Sequence, residues 1–343
     1  MSQSYLTGVD VSKGKVDCAL INDQIESLSE KEVINTDHKL EQYFRSIFKQ
    51  FNINPAELLV CCENTGIYSS PLKRVCHKLG INLWVEHALK IKRASIDMRG
   101  KTDKQDALRI AEYACRYRDR AVMYEPDSEL IKALQNQIKV RQTLSDKKVA
   151  IENQLREARS HDKELFKALQ AGYKGVLSSI KAAIKKAERK IKELSKQDGQ
   201  VCTNQELLKS IPGIGEQVSI QFIASTNNFK NFSSAKHMAC YAGVVPFENE
   251  SGTIKRKPKV SKMADLKLKS LLQLAAMATI RSKGEFRDYY IRKTAEGKNK
   301  MSVLNAIRNK LVHRMFAVIQ RQTPYIPAEI FSIKNEKYTC SLT

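Results

Sequence analysis

The stretch Gly8–Leu20, GVDVSKGKVDCAL, constrains this chain more than any other. Val9 and Val11 flank an aspartate, a Ser-Lys-Gly-Lys segment follows, and Val16, Cys18 and Leu20 then recur at every second position. That pattern predicts strand, tight turn, strand, a β-hairpin. Aspartate is depleted from strands, and burying one without a partner is costly, so Asp10 is the residue to explain. One account makes it an edge-strand carboxylate paired with Lys13 or Lys15. The other makes it a metal ligand, which requires further acids elsewhere in the chain.

Those acids come in order. Glu26–Val33 supplies a third strand, and Asp37–Phe51 carries Leu40, Tyr43, Phe44, Ile47 and Phe51 at helical spacing behind a Thr36 or Asp37 cap. The continuous apolar run Leu58–Cys62 reads as a strand buried on both faces and ends in Glu63-Asn64-Thr65-Gly66. A carboxylate at the C-terminal end of a central strand, ahead of a Gly turn, is where open α/β sheets place their sites. A helix over Ser70–Lys78, a strand over Asn82–Val85 and a basic helical turn at His87–Arg93 complete a mixed sheet covered by helices. Asp103 and Asp106 then open a helix and, three apart, share one of its faces. By themselves they read as an N-cap and a capping-box partner rather than as ligands; Asp10 and Glu63 shift that reading.

From Asp127 to about Lys196 the chain turns to long amphipathic helix. Leu130, Leu134, Gln137, Arg141, Leu144, Lys148, Ile151, Leu155 and Ala158 follow alternating four- and three-residue steps, and so do Leu177, Ile180, Ile184, Ala187, Ile191 and Leu194. The reading is a helical hairpin or an intermolecular coiled coil, broken at Gly172–Gly175, serving as spacer or oligomerisation element. Past an Asp198-Gly199-Gln200 linker, Ile211-Pro212-Gly213-Ile214-Gly215 separates two helices in the manner of a helix-hairpin-helix. In such a motif the glycines, here Gly213 and Gly215, bring backbone N–H groups to a phosphate. These observations divide the chain into an α/β domain over 1–126, a helical coiled-coil domain over 127–200 and a mostly helical domain over 201–343.

Charge narrows the partners. The 343 residues hold 59 Lys and Arg against 37 Asp and Glu, a net charge of +22, which points to a polyanion. Between Ser251 and Arg321 there are 18 basic residues against 4 acidic ones, including Lys255, Arg256, Lys257, Lys259 and Lys262 directly after a Ser-Gly turn. That concentration favours a nucleic-acid surface over general solubility. No run approaches the ~20 apolar residues of a membrane span, and MSQSYLTGVD lacks the features of a secretion signal. A cytoplasmic, nucleoid-associated protein with no membrane partner is expected. The eight cysteines show no C-x-x-C pair or zinc-like spacing and read as reduced, mostly buried small apolar residues.

Phosphodiester chemistry needs a nucleophile and stabilisation of charge on the phosphate and the leaving oxygen. Clustered carboxylates meet it by holding one or two Mg²⁺ ions, hard cations that take oxygen ligands. Asp10, Glu63, Asp103 and Asp106, brought to one edge of a mixed sheet, would form a ribonuclease-H-like site. Ser251 is a second candidate nucleophile, although by spacing alone a Ser-Gly pair reads as a solvated turn. Three classes of function remain open on the residues: a recombinase, a metal-dependent nuclease or junction resolvase using water, and a non-enzymatic nucleic-acid-binding protein. A nucleotide kinase of the actin-like fold would also begin with an Asp-plus-turn hairpin, but it needs a second Gly-rich phosphate loop, and none is visible.

The segments GVDVSKGKVD, CCENTGIY, KTDKQDALRIAEY, SIPGIGEQVSIQFIA and YAGVVPFENESGT followed by a basic segment resemble, in order, the landmarks of the DEDD transposases of compact bacterial insertion sequences. The resemblance spans nearly the whole chain. It implies a RuvC-like N-terminal domain whose metal-binding quartet is Asp10, Glu63, Asp103 and Asp106, and a C-terminal transposase domain in which Ser251 forms a covalent phosphoserine link to DNA. It also implies strand exchange through a Holliday-junction-like intermediate, donor and target duplexes chosen by a structured non-coding guide RNA, and a dimer assembling to a tetramer in which the carboxylates of one subunit meet the serine of another. Phe247, Glu248 and Glu250 just ahead of Ser251 depart from the family pattern, since acids beside a phosphate-attacking serine are unexpected.

Overall fold

Nearly continuous burial along the first two strands and the fourth marks a sheet covered on both faces. A computed structural model of the chain describes residues 4–94, 103–251, 254–260 and 264–327, with backbone alone at 103, 104, 247–251 and 254–260. The elements are β1 (Tyr5–Val11), β2 (Lys15–Asn22), β3 (Ser27–Ile34), α1 (Asp37–Phe51), β4 (Leu58–Glu63), α2 (Ser70–Leu79), β5 (Asn82–Glu86), α3 (Ala88–Ala94) and α4 (Asp103–Arg116). The five strands lie in the order β3-β2-β1-β4-β5. β1 and β2 pair antiparallel, as do β2 and β3, whereas β4 and β5 run parallel to β1. This is the ribonuclease-H-like, RuvC-like arrangement expected from the sequence.

Alternation along each strand sorts the side chains into two layers. Val9, Val11, Cys18, Leu20, Val60 and Cys62 pack with Leu40, Phe44, Ile47, Leu72 and Val75 of α1 and α2. Leu6, Ile21, Leu59, Cys61 and Trp84 point the other way, onto Ile91 of α3 and Ile110, Ala111 and Tyr113 of α4. Thr36 caps α1, its hydroxyl accepting from Lys39 N. Four cysteines are fully buried among these apolar residues and none of those described is bridged. Burial pushes the Cys62 thiol up to about 12.

The chain divides into two compact units, residues 1–126 and 127–343. The second opens with α5 (Glu129–His161) and α6 (Lys163–Ser195) and continues with α7 (Gly199–Lys209), α8 (Glu216–Ser225), α9 (Ala235–Tyr241), β6 (Pro246–Ser251), β7 (Ile254–Val260), α10 (Leu266–Thr279), α11 (Glu285–Ala295) and α12 (Lys300–Arg321). α5 and α6 form a helical hairpin within one chain, linked by Arg141 Nε donating to Glu188 Oε1 at 2.9 Å and Tyr173 OH donating to Gln154 Oε1 at 3.2 Å. Ile131 and Leu134 of α5 and Ile191 and Leu194 of α6 share one apolar cluster with α7–α12. The helix break expected at Gly172–Gly175 lies instead at Asp162. Asp162 takes extended backbone angles, and its carboxylate accepts from Glu164 N and Leu165 N, capping a new helix. Gly172 and Gly175 stay helical inside α6, since a glycine weakens a helix without ending it where tertiary packing supports the turn.

Candidate active site

Strand register brings the first two predicted carboxylates together. Asp10 lies opposite Asp17 of β2, and Val9 lies beside Cys62 of β4, which places Asp10 next to Glu63 at the end of that strand. Glu63 in turn pairs with Glu86 at the end of β5. Because Val9, Val11 and Cys62 point toward α1 and α2, alternation turns Asp10, Asp17, Glu63 and Glu86 to the α4 face. One sheet edge therefore carries an acid on each of four adjacent strands.

α4 supplies the next acid, and a glycine lets it come close. Gly8 lies two residues before Asp10 on the same face, and a Cβ there would fall under 3.0 Å from the backbone of Ala107 and Ala111. With no side chain at Gly8, α4 rests directly on β1. Asp106, one residue before Ala107, is thereby held at the acidic edge. Burial first, then the charges of Asp10 and Asp106, raises the Glu63 carboxyl above its ordinary range. The predicted Asp10, Glu63 and Asp106 thus share one electrostatic neighbourhood. Asp103 begins α4 three residues before Asp106, and its side chain lies outside the described residues.

The acids differ in how they are neutralised. Asp17 is buried beside the Lys15 ammonium at 3.5 Å. Glu86 accepts from His87 N at 2.7 Å, from Tyr113 OH at 3.3 Å and pairs with Lys90 at 3.0 Å. Asp106 accepts from Arg109 Nη1 at 2.7 Å. Glu63 forms no ion pair among the described residues. The oxygen-only donor set and the mutual repulsion at Glu63 fit a hard divalent cation, which would relieve it. Among the described side chains, no three potential ligands already stand close enough to hold an ion. Asp17 and Glu86 were missed in the sequence; their signal was an acid on the same strand parity as Asp10 and Glu63.

In the second unit Ser251 is the last residue of β6, in register with Ile254 of β7. Residues 252 and 253, where the sequence predicts the Ser-Gly turn to continue, lie outside the described residues, as does Lys262. Lys255, Arg256, Lys257 and Lys259 lie on β7, with Lys255 opposite Glu250, Arg256 opposite Asn249 and Lys259 opposite Phe247. The register thus gives one of the unexpected acids a basic residue across the ladder. Gly213 and Gly215 differ from each other. Gly213 has φ +85°, and a Cβ there would meet Thr279 Oγ1 and Ala275 O of α10. Thr279 Oγ1 also donates to Pro212 O at 2.9 Å, so Gly213 fastens the turn onto α10. Gly215 faces open space at the start of α8, where no side chain caps the helix. No helix among the described residues is long and apolar enough to cross a membrane.

Comparison with known proteins adds to this geometry. Residues 7–158 match the family described as Transposase, DEDD_Tnp_IS110, a span containing all four predicted carboxylates. Residues 205–291 match the family described as Transposase IS116/IS110/IS902, a span containing Gly213, Gly215, Ser251 and the basic strand β7. The chain is 25% identical over 336 residues to the pilin gene-inverting protein of Moraxella bovis, covering 95% of this chain and 98% of that one. It is 24% identical over 255 residues to the transposase for insertion sequence element IS1111A of Coxiella burnetii, covering 66% and 68%. The solved structure of Thermus thermophilus RuvC in complex with a Holliday junction substrate aligns with 35% of this chain and 99% of its own, at 12% identity and a TM-score of 0.28.

Proposed function

We propose that this chain, which belongs to the DEDD transposase family of IS110-type insertion elements and so is an enzyme that cuts and rejoins DNA, does so by attack of Ser251 on a phosphodiester assisted by Mg²⁺. The observation that carries the reading is Glu63, half-buried between Asp10 and Asp106 with no cation of its own. Four carboxylates, Asp10, Glu63, Asp103 and Asp106, hold one or two ions in this account. A bound ion supplies a positive charge that stabilises the crowded phosphate and the departing oxygen.

Ser251 Oγ forms a bond to phosphorus as one P–O bond to sugar breaks, and the serine proton passes to the departing sugar oxygen. Attack by a sugar hydroxyl on the phosphoserine reverses the exchange, rejoins DNA and returns the proton to Ser251. The sum of bonds is unchanged, so no energy source is required. Lys255, Arg256, Lys257, Lys259 and Lys262 bind backbone phosphates beside the serine, and the open N–H groups at Gly215 add a further contact.

Recombination on donor and target duplexes, with a guide RNA choosing the sites and a Holliday-junction-like intermediate between them, accounts for the 18 basic residues against 4 acidic ones between Ser251 and Arg321. The Moraxella relative is named for inverting a pilin gene, an outcome that demands cutting and rejoining at defined positions. Paired subunits assembling to a tetramer supply two cuts on each duplex, with the carboxylates of one subunit meeting the serine of another. The exposed Val140, Val149, Leu165 and Val176 of the helical hairpin support such assembly. The enzyme works at nucleoid DNA.

The test is a denaturation-resistant protein–DNA adduct from purified protein, guide RNA, duplexes and Mg²⁺. Wild type forms it and Ser251→Ala does not; an adduct with Ser251→Ala overturns the serine assignment. The acidic edge lies wholly in residues 1–126, which favours as a second reading a nuclease or junction resolvase using water. It gives nicks with free ends and no rejoined product.

A further inference from the structure

α12 carries a charge that the fold does not neutralise. Arg308 is 7% exposed and sits on the buried face of the helix with Leu304, Ile307, Leu311 and Val312. Its Nε is buried without a hydrogen-bond partner, and the guanidinium forms no ion pair among the described residues. Two partly buried arginines differ from it in being ion-paired: Arg109 holds Asp106 at 2.7 Å and Arg141 holds Glu188 at 2.9 Å. Arginine cannot shed its proton in a protein interior, so its five donors remain and call for an acceptor. A buried Nε kept without an acceptor in the free protein fits a ligand of the opposite charge.

The position of Arg308 says which ligand. Asn305, one turn earlier on the same face, donates from Nδ2 to Val244 O at 2.8 Å. Val244 lies two residues before Pro246, where β6 begins, and β6 ends at Ser251. Arg308 thus stands at the root of the hairpin that presents the serine. A six-residue strand spans roughly 17 Å, so the anion at Arg308 is not the phosphate that Ser251 attacks.

We propose that Arg308 anchors a second phosphate site, which takes a backbone phosphate of the bound DNA strand a few nucleotides from the point of attack. The planar guanidinium can engage two phosphate oxygens at once and fix the register of the strand over the hairpin. The inference rests on the reading that the chain acts on DNA, but its test does not use Ser251.

The experiment compares wild type, Arg308→Met and Arg308→Lys as full chains. Thermal unfolding is followed with and without inorganic pyrophosphate, and duplex and RNA binding are titrated against salt. Arg308→Met should unfold at a higher temperature than wild type without ligand, because an uncompensated buried charge has been removed. Pyrophosphate should raise the midpoint of wild type and leave that of Arg308→Met unmoved. The slope of log affinity against log salt for duplex DNA should fall by about 1 in Arg308→Met and be kept in Arg308→Lys. A lowered midpoint for Arg308→Met, with equal pyrophosphate shifts in all three proteins, assigns Arg308 to packing and overturns the proposal. A slope lost on RNA and kept on DNA overturns it equally. If Arg308→Met does not fold, Arg308→Lys decides: a several-fold smaller pyrophosphate shift supports the site, and an unchanged one rejects it. Absence of the adduct in wild type, with these readouts as expected, counts against the serine chemistry alone.

Discussion

The two compact units fail to neutralise themselves in opposite ways. In the first, acids gather at one sheet edge, and three of them find bases: Asp17 has Lys15, Glu86 has Lys90 and Asp106 has Arg109. Glu63, at the middle of that edge, has only further acids around it. In the second, Arg141 finds Glu188 and Arg314 finds Glu285, while Arg308 in the core finds nothing among the described residues. At the sheet edge the acid left without a base among the described residues is Glu63, and on the buried face of α12 the base left without an acid is Arg308. On the proposed function, a cation would complete the first and a phosphate the second.

The sharpest way to break this comparison is to separate α4 from the sheet. Gly8→Val puts a branched side chain against the backbone of Ala107 and Ala111, which cannot yield as a side-chain tip would. We expect about 3 kcal/mol or more of destabilisation by denaturant unfolding, and any structure that survives should lose metal-dependent activity. A similar loss confined to the second unit is expected from Leu134→Ala, at the base of the helical hairpin and fully buried, at about 3 kcal/mol. Activity at the carboxylate edge, read by metal binding, should persist in that variant.

Smaller effects sharpen the electrostatic side. The folded Glu63 carboxyl titrates above its unfolded value, so folding takes up a proton between the two, and the metal-free protein loses stability as pH rises through that window. Glu63→Gln should flatten that slope and raise the thermal midpoint of the metal-free protein at neutral pH. Tyr113→Phe removes the hydroxyl that ties α4 to Glu86 while keeping the ring against Trp84, at about 1 kcal/mol. Arg141→Ala, at a half-exposed pair on the helical hairpin, should cost only about 0.5 kcal/mol in the same unfolding assay.

Much of this architecture was legible in the sequence. The β1–β2 hairpin, the buried β4 and the capped α1 each follow from local periodicity. What escaped was set at a distance. The need for glycine at position 8 comes from α4, about a hundred residues later, and the helix break comes from an aspartate able to cap at 162, where two glycines at 172 and 175 were the more conspicuous breakers. β6 and β7 lack alternation, since ENES and KRKPK offer no apolar face, so only the Ser-Gly turn between them showed. Within the site, Asp10 stood out as an acid among valines, and Glu63 as the end of an apolar run. Asp17 and Glu86 became part of the same edge only through strand register, and Arg308 is one of 18 basic residues between Ser251 and Arg321 in the sequence, set apart only by its burial.

The central claim is that the sheet edge is built for a cation, and binding of Mn²⁺ to the DNA-free protein, followed by calorimetry or by water-proton relaxation, tests it without reference to activity. Wild type should bind, and Asp10→Asn and Glu63→Gln should each weaken binding at least about tenfold, the usual cost of losing one ligand or its close support. Binding of equal strength in wild type and both variants, or none in any of them, would contradict the account.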